Sequence, residues 1–154
     1  MAQPKSHKES LIVGLASLLG LGLFPLAPGT LASLAAVGLF LLVGNSTLFL
    51  AITAASLILS FLLCGAAERI LSENDPKRVV IDDFSGQLIA LVFIPKYPVY
   101  IFLSFLLFRL FDTLKIPPAD ILDKKRGSLG IVGDDIVAGL YANLLIQAVI
   151  FIHG

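Results

Sequence analysis

Two pairs of adjacent aspartates, Asp82–Asp83 in VVIDDFSGQ and Asp134–Asp135 in GIVGDDIVAGLYAN, each stand at the start of an otherwise apolar run. Between them, FRLFDTLK carries Arg109, Asp112 and Lys115 at a spacing of three, which puts them along one side of a helix. Acids and cations in this combination are the parts that phosphoryl chemistry uses. Carboxylate oxygens select a hard ion such as Mg²⁺, which polarises phosphorus and acidifies a bound water. Arg and Lys offset charge on the non-bridging oxygens. From residue types alone this is a candidate metal–phosphate site and nothing narrower.

Each feature also has a plainer reading. Neighbouring helix residues diverge by about 100°, so Asp134 and Asp135 converge on one object only at a helix N-terminus. Gly133 leaves the backbone permissive there, and the positive end of the helix dipole favours anions. The pair is then either a helix cap, for which one acid would suffice, or a metal or catalytic site. Arg109 and Asp112 are either an ion pair with Lys115 at the headgroups or, for the cations, anchors for an anionic group. Ala138, Gly139, Ala142 and Asn143 continue a stripe from Asp135 that suits close helix packing. Asn143, an amide in an apolar segment, belongs either to a site or to an interhelical hydrogen bond.

Other phosphatase chemistries lack their residues. CGAAER has four residues between Cys64 and Arg69 where a cysteine-phosphatase loop uses five, and Cys64 ends an apolar run, so an inert thiol is the reading. His7 and His153, the two histidines, lie in the terminal tails, which removes histidine chemistry and His/Cys zinc sites. No Gly-rich loop ending in Lys–Ser/Thr is present. One cysteine permits no internal disulfide, and no basic tract suggests nucleic acid.

The elements that must position these residues are membrane helices. The 154-residue chain is 57% hydrophobic and only 14% charged, with zero formal net charge and a mean hydropathy of +0.95; a soluble domain is about one quarter charged. Ser10 to Ala67 contains no charged residue. Residues 46–67 and 132–152 have the roughly 20 residues needed to cross hydrocarbon. Leu11–Phe24 and Leu31–Val43, separated by PLAPGT, and Phe84–Ile94 and Val99–Phe111, separated by PKYP, are shorter pieces. Short pieces are tilted little, borrow flanking residues, or belong to broken elements whose polar backbone lines protein or water; PLAPGT is thus a surface turn or part of a site.

Lys5 and Lys8 before an apolar run resemble a signal peptide, but no small-residue cleavage site follows, so the N-terminus is read as retained. Lys5, Lys8, Lys77, Arg78, Lys124, Lys125 and Arg126 cluster at the N-terminus and in the polar segments 68–83 and 112–133, which the positive-inside rule puts in the cytoplasm. The expectation is an all-α integral membrane bundle of about four or five spanning or partly re-entrant helices. It forms a single domain, 1–154, with 1–10 as a cytoplasmic tail. The topology gathers Glu68, Asp82, Asp83, Asp112, Asp123, Asp134 and Asp135 at the cytoplasmic ends of apolar segments.

The motifs APGTLASLAA, VVIDDFSGQLIAL, FRLFDTLKIPP and GSLGIVGDDIVAGLYAN, in this order over about residues 14 to 148, resemble the phosphatidylglycerophosphatase A family. The resemblance implies a Mg²⁺-dependent phosphatase of the bacterial inner membrane that converts phosphatidylglycerophosphate to phosphatidylglycerol, so the partners are that phospholipid and membrane lipids. It implies catalytic and metal-holding roles for Asp82, Asp83, Asp134 and Asp135. It further implies phosphate binding by Thr30, Arg109 and Lys115, with Asp112, Asp123 and Asn143 in support. Asp83 stands where the family usually has Glu, one methylene shorter, and Ile116 where it has Pro, with Pro117 still enforcing a stop. Whether a water or an aspartate attacks phosphorus is open, as are the number of ions and the oligomeric state. The competing readings are a small ion-coupled transporter, which would place acids near the midplane, and a non-catalytic membrane assembly subunit.

Overall fold

The computed structural model describes residues 4, 6–73 and 75–153, with His153 as backbone only. Among the described residues the chain forms seven α-helices and no strand: α1 His7–Ala16, α2 Pro28–Leu42, α3 Ser46–Leu71, α4 Ile81–Leu91, α5 Pro98–Leu114, α6 Ala119–Asp123 and α7 Ser128–His153. A single 3-10 turn, Leu21–Leu23, lies between α1 and α2. Part of the expected tail, residues 1–3 and 5, lies outside the described residues; His7–Ser10 already belong to α1.

Local chemistry sets the boundaries. Ser6 caps α1 by accepting from the Glu9 amide, and Asn45 caps α3 by accepting from the Leu48 amide at 2.9 Å. Pro28 and Pro98 occupy the first turns of α2 and α5, where their missing N–H is no loss. The apolar piece expected over 11–24 breaks after Ala16 into a tight turn and the 3-10 segment. PLAPGT reverses through Ala27, whose φ of 46° lies in the left-handed region.

By length and composition, α3 and α7 are the two described helices able to cross a membrane, with mean hydropathies of 2.4 and 1.9 over their best windows. Their outward faces are apolar: Ile58 and Leu62 on α3 and Leu144 on α7 are each more than 60% exposed. So much contiguous apolar surface marks a lipid or protein contact rather than a water-facing wall. At 1.5 Å per residue, α2, α4 and α5 reach only about 22, 16 and 25 Å.

The core is built around α4. Its residues from Ser85 to Leu91 are all buried, enclosed by α2, α3, α5 and α7. Neighbouring helices meet part of its polar groups: the Ser60 and Ser85 hydroxyls lie 2.7 Å apart, and Gln87 Nε2 donates to Ser104 Oγ at 3.2 Å, while Gln87 Oε1 has no partner. α7 runs parallel to α4. Gly139 lies directly against the Gly86 carbonyl oxygen, leaving no room for a Cβ. Ala138 and Ala142 pack beside that contact with Ala90 and Phe108, which is the close packing expected of the small-residue stripe. Farther along, Asn143 Nδ2 donates to the carbonyls of Ile89, Ala90 and Val92, the last at 2.8 Å. The amide therefore serves an interhelical hydrogen bond and closes the C-terminal end of α4.

A Cβ at Gly139 would overlap backbone that cannot rotate away, whereas one at Gly38 in α2 meets nothing within 4 Å. Gly139→Ala is expected to lose about 1–3 kcal/mol of stability through overpacking, and Gly38→Ala to gain up to about 1 kcal/mol from helix propensity. Thermal melting of both variants in detergent measures this; a Gly139→Ala melting temperature at or above wild type would contradict the crossing.

Candidate active site

Asp82 and Asp83 occupy the first turn of α4, where the helix dipole favours carboxylates and no side chain caps the amides. Asp82 is buried at 6% exposure, and its Oδ1 has no hydrogen-bond partner. Asp83 is ion-paired to Arg109 of α5, whose Nη1 also forms an ion pair with Asp112 at 3.0 Å, one helical turn along. The shorter Asp at position 83 thus still reaches its guanidinium. From the other side, the backbone of Gly29 lies where a Cβ would strike the Asp83 carboxylate. PLAPGT is therefore a turn that also forms a wall of the site: Ala27, Pro28, Gly29 and Thr30 all line it.

Asp134 and Asp135 do not open their helix, as the sequence suggested. α7 begins at Ser128, so the pair sits two turns inside it. SLGIVG continues the helix because Ser128 is anchored to α3, its Oγ accepting from the Gly65 amide at 3.0 Å. Within a helix the two neighbours must diverge. Asp134 accepts from Lys115 Nζ at 2.8 Å, and Lys115 also pairs with Asp123. Asp135 turns instead toward Asp83 and Asp112, and one oxygen from each of the three lies within 4.8 Å of the others. Asp135 Oδ1 is buried without a hydrogen-bond partner.

Arg109 and Asp112 share one side of α5, as their spacing requires. Lys115 does not continue that side: it is the residue after the helix, at φ 46°, and the turn swings its ammonium toward α6 and α7. Burial works against that ammonium, but its hydrogen bonds to Asp123 and Asp134 outweigh it and hold the pKa above that of an ordinary lysine. Lys115 therefore stays a cation.

These groups surround one cavity of about 260 Å³. Lining it are Asp82, Asp83, Asp112, Asp134 and Asp135, with Thr30 and Arg109. Of the other residues singled out in the sequence, Lys115 does not line it and reaches it only through Asp134, Asp123 only through Lys115, and Asn143 is spent on α4. Asp75 and Lys77, which were not among the expected site residues, also line the cavity. Asp75 keeps an exposed face, yet desolvation raises its carboxyl pKa; Lys115 offsets this in part, while Asp123, Asp112 and Glu68 push the same way as desolvation. Their signal was the loop NDPK itself, a polar connection returning to the acids of α4.

The donor set fits a cation. Three convergent carboxylates, all oxygen, suit a hard ion, and the unpartnered oxygens of Asp82 and Asp135 are the orphans that such a charge would satisfy.

A family model for phosphatidylglycerophosphatase A matches residues 14–150. The chain belongs to the phosphatidylglycerophosphatase A family. Membership makes it an enzyme, a phosphoric monoester hydrolase. Among its relatives, the phosphatidylglycerophosphatase A of Haemophilus influenzae is 36% identical over 135 residues, covering 84% of this chain and 83% of that one. The phosphatidylglycerophosphatase A of Escherichia coli is 32% identical over 125 residues, 79% and 73% of the two chains. A Bacteroides thetaiotaomicron protein named "putative phosphatidylinositol-3-phosphatase" is 34% identical over 146 residues, 88% and 91% of the two. No solved structure matches.

Within this phosphatidylglycerophosphatase A fold, Gly29 matters because it admits the Asp83 carboxylate. Gly29→Ala would push that carboxylate off Arg109, and misplacing a reacting group by about 1 Å costs roughly 100-fold in rate. The expected outcome is a loss of phosphate release of that order with a melting temperature close to wild type. Undiminished turnover would separate Asp83 from the chemistry.

Proposed function

We propose that the enzyme hydrolyses the terminal phosphomonoester of phosphatidylglycerophosphate, releasing phosphatidylglycerol and inorganic phosphate at the cytoplasmic face of a bacterial inner membrane. The observation that carries this reading is the single cavity in which acids from α4, α5 and α7 meet Arg109. Family membership and two relatives named for this activity supply the substrate. Sidedness follows from the basic residues of the segments flanking the cavity, by the positive-inside rule. We propose the chain as one membrane-embedded domain in which α3 and α7 cross, while α2, α4 and α5 are embedded beside them as shorter or partly re-entrant pieces.

Asp83, Asp112 and Asp135 are the residues proposed to hold Mg²⁺, with Asp82 and Asp134 beside them. When bound there, the ion would neutralise phosphate charge and acidify a water. The chain's own groups do the rest. Arg109, steadied by Asp83 and Asp112, keeps further N–H donors for the phosphate oxygens, a planar fork suited to that task. Thr30 offers a hydroxyl from the opposite wall. Lys115 holds Asp134 in place and adds positive charge. The free oxygen of Asp82 is placed to accept the proton of an attacking water, so that the P–O bond to glycerol breaks as the new P–O bond forms.

The test uses purified protein in detergent with phosphatidylglycerophosphate and, separately, phosphatidylinositol 3-phosphate. Phosphate release from the first, abolished by EDTA and restored by Mg²⁺, is expected. Release from the inositol lipid alone would overturn the substrate assignment, and EDTA-resistant turnover would overturn the metal. A second readout is independent of turnover. Mg²⁺ added to EDTA-treated protein is expected to raise the melting temperature, because ligands that bind only the folded state stabilise it. That gain should vanish in Asp135→Asn.

A further inference from the structure

The polar cavity has an apolar continuation. On α2, Thr30, Leu34, Val37 and Leu41 follow one another at steps of four, three and four, which is a single helix face. On α5, Arg109, Phe105, Phe102 and Pro98 descend by the same steps. Thr30 and Arg109, the first residue of each stripe, line the polar cavity. The six that follow line a separate cleft of about 330 Å³ between the two helices, with Ile101 at its base. The two helices run antiparallel here, so both stripes leave the carboxylate cavity together and extend away from it by about 16 Å.

Two features distinguish this cleft from ordinary lipid-facing surface. α2 packs mainly on α4 and α5 mainly on α7, and where α2 and α5 face each other their side chains leave a groove. Its far end is closed by Lys96, whose ammonium donates to the Leu41 and Val43 carbonyls at 3.1 and 2.7 Å and lies over the Phe40 ring. Lys96 is the one charged residue lining the cleft, and it is engaged with the end of α2. Its near end, at Leu34 and Phe105, lies one helical turn from Thr30 and Arg109, which line the polar cavity. The two regions thus form a polar pocket continued by an open apolar groove, whose walls Leu34, Leu41 and Phe102 remain exposed, the shape of a phospholipid headgroup with one tail.

We infer that the α2–α5 cleft seats one acyl chain of the phospholipid substrate, with the phosphomonoester held by Thr30 and Arg109 at the cleft's open end. This rests on the lipid-phosphatase reading above and adds to it a tail-binding site with named walls. Chain binding there would be uniform, present in ground and transition states alike, so its loss should appear in KM rather than kcat.

The experiment compares dioleoyl and dihexanoyl phosphatidylglycerophosphate in detergent for wild type, Val37→Trp, which fills the cleft, and Ile58→Trp, which adds the same ring to the outer face of α3. For Val37→Trp, KM for the dioleoyl lipid should rise about tenfold with kcat held, the mark of lost uniform binding. The wild-type preference for the longer chains should shrink accordingly. Ile58→Trp should match wild type on both lipids. If Val37→Trp keeps the wild-type chain preference, or both variants shift alike, the cleft holds bulk lipid only and the inference fails. Wild-type protein inactive on both lipids would instead overturn the proposed function. Should Val37→Trp melt early, photo-crosslinking of wild type with a diazirine-tailed phosphatidylglycerol decides: adducts concentrated in 34–41 and 98–105 are expected. Adducts spread evenly over α3 and α7 overturn the assignment.

Discussion

The Gly86 carbonyl of α4 lies against Gly139 of α7, and the closeness of that contact sets the position of nearly everything else. Each helix carries an aspartate of the cavity one turn before its glycine: Asp82 before Gly86 and Asp135 before Gly139. Because the helices run parallel at that level, bringing the glycines together brings the acids together. Side chains are short, and carboxylates can share a charge only over a few ångströms. Two helices separated by ordinary leucines would stand 8–10 Å apart, too far for Asp83, Asp112 and Asp135 to gather as they do. Small residues at the crossing are thus a requirement of the chemistry as much as of packing.

Gathering so many like charges works against folding, and the arrangement of cations shows how that cost is limited. Arg109 stands between Asp83 and Asp112, and Lys115 between Asp123 and Asp134. Removing one partner of a buried pair leaves the other uncompensated, so neither cation is only a substrate ligand. Asp82 and Asp135 keep an oxygen without any partner. The protein thereby neutralises the rim of the cluster and leaves its centre short of positive charge.

Much of this was legible in the residues. The two aspartate pairs, the Arg–Asp spacing of α5 and the small-residue stripe named the right parts, because charge inside an apolar chain is conspicuous and helical spacing is regular. The start of α7 was not legible. Ser128, Gly130 and Gly133 resemble a loop, and hydrogen bonds to α3, far away in sequence, tie down the start of the helix: Ser128 with Gly65 and Phe61, and the Gly127 amide with Glu68. Lys115 was misplaced for a related reason: a spacing of three predicts a helix face only while the helix lasts, and it ends at Leu114. Gly29 carried no local signal, since its importance lies in what comes to rest against it. The i, i+4 repeat of Asp82–Gly86 and Asp135–Gly139 was visible in principle, and pairing the two would have given the crossing.

The three carbonyls closed by Asn143 carry a consequence for biogenesis. α4 ends inside the protein, and its last backbone acceptors are met by a side chain from the final helix. Until α7 leaves the ribosome, those acceptors have no such donor, and unsatisfied backbone in lipid is expensive. The Ile89 carbonyl also accepts from the Val92 amide, but those of Ala90 and Val92 gain their Asn143 donor only once the last helix is made. The carboxylates of α4 and α7 come together in the same late step, so a product truncated before α7 carries only part of the acidic cluster.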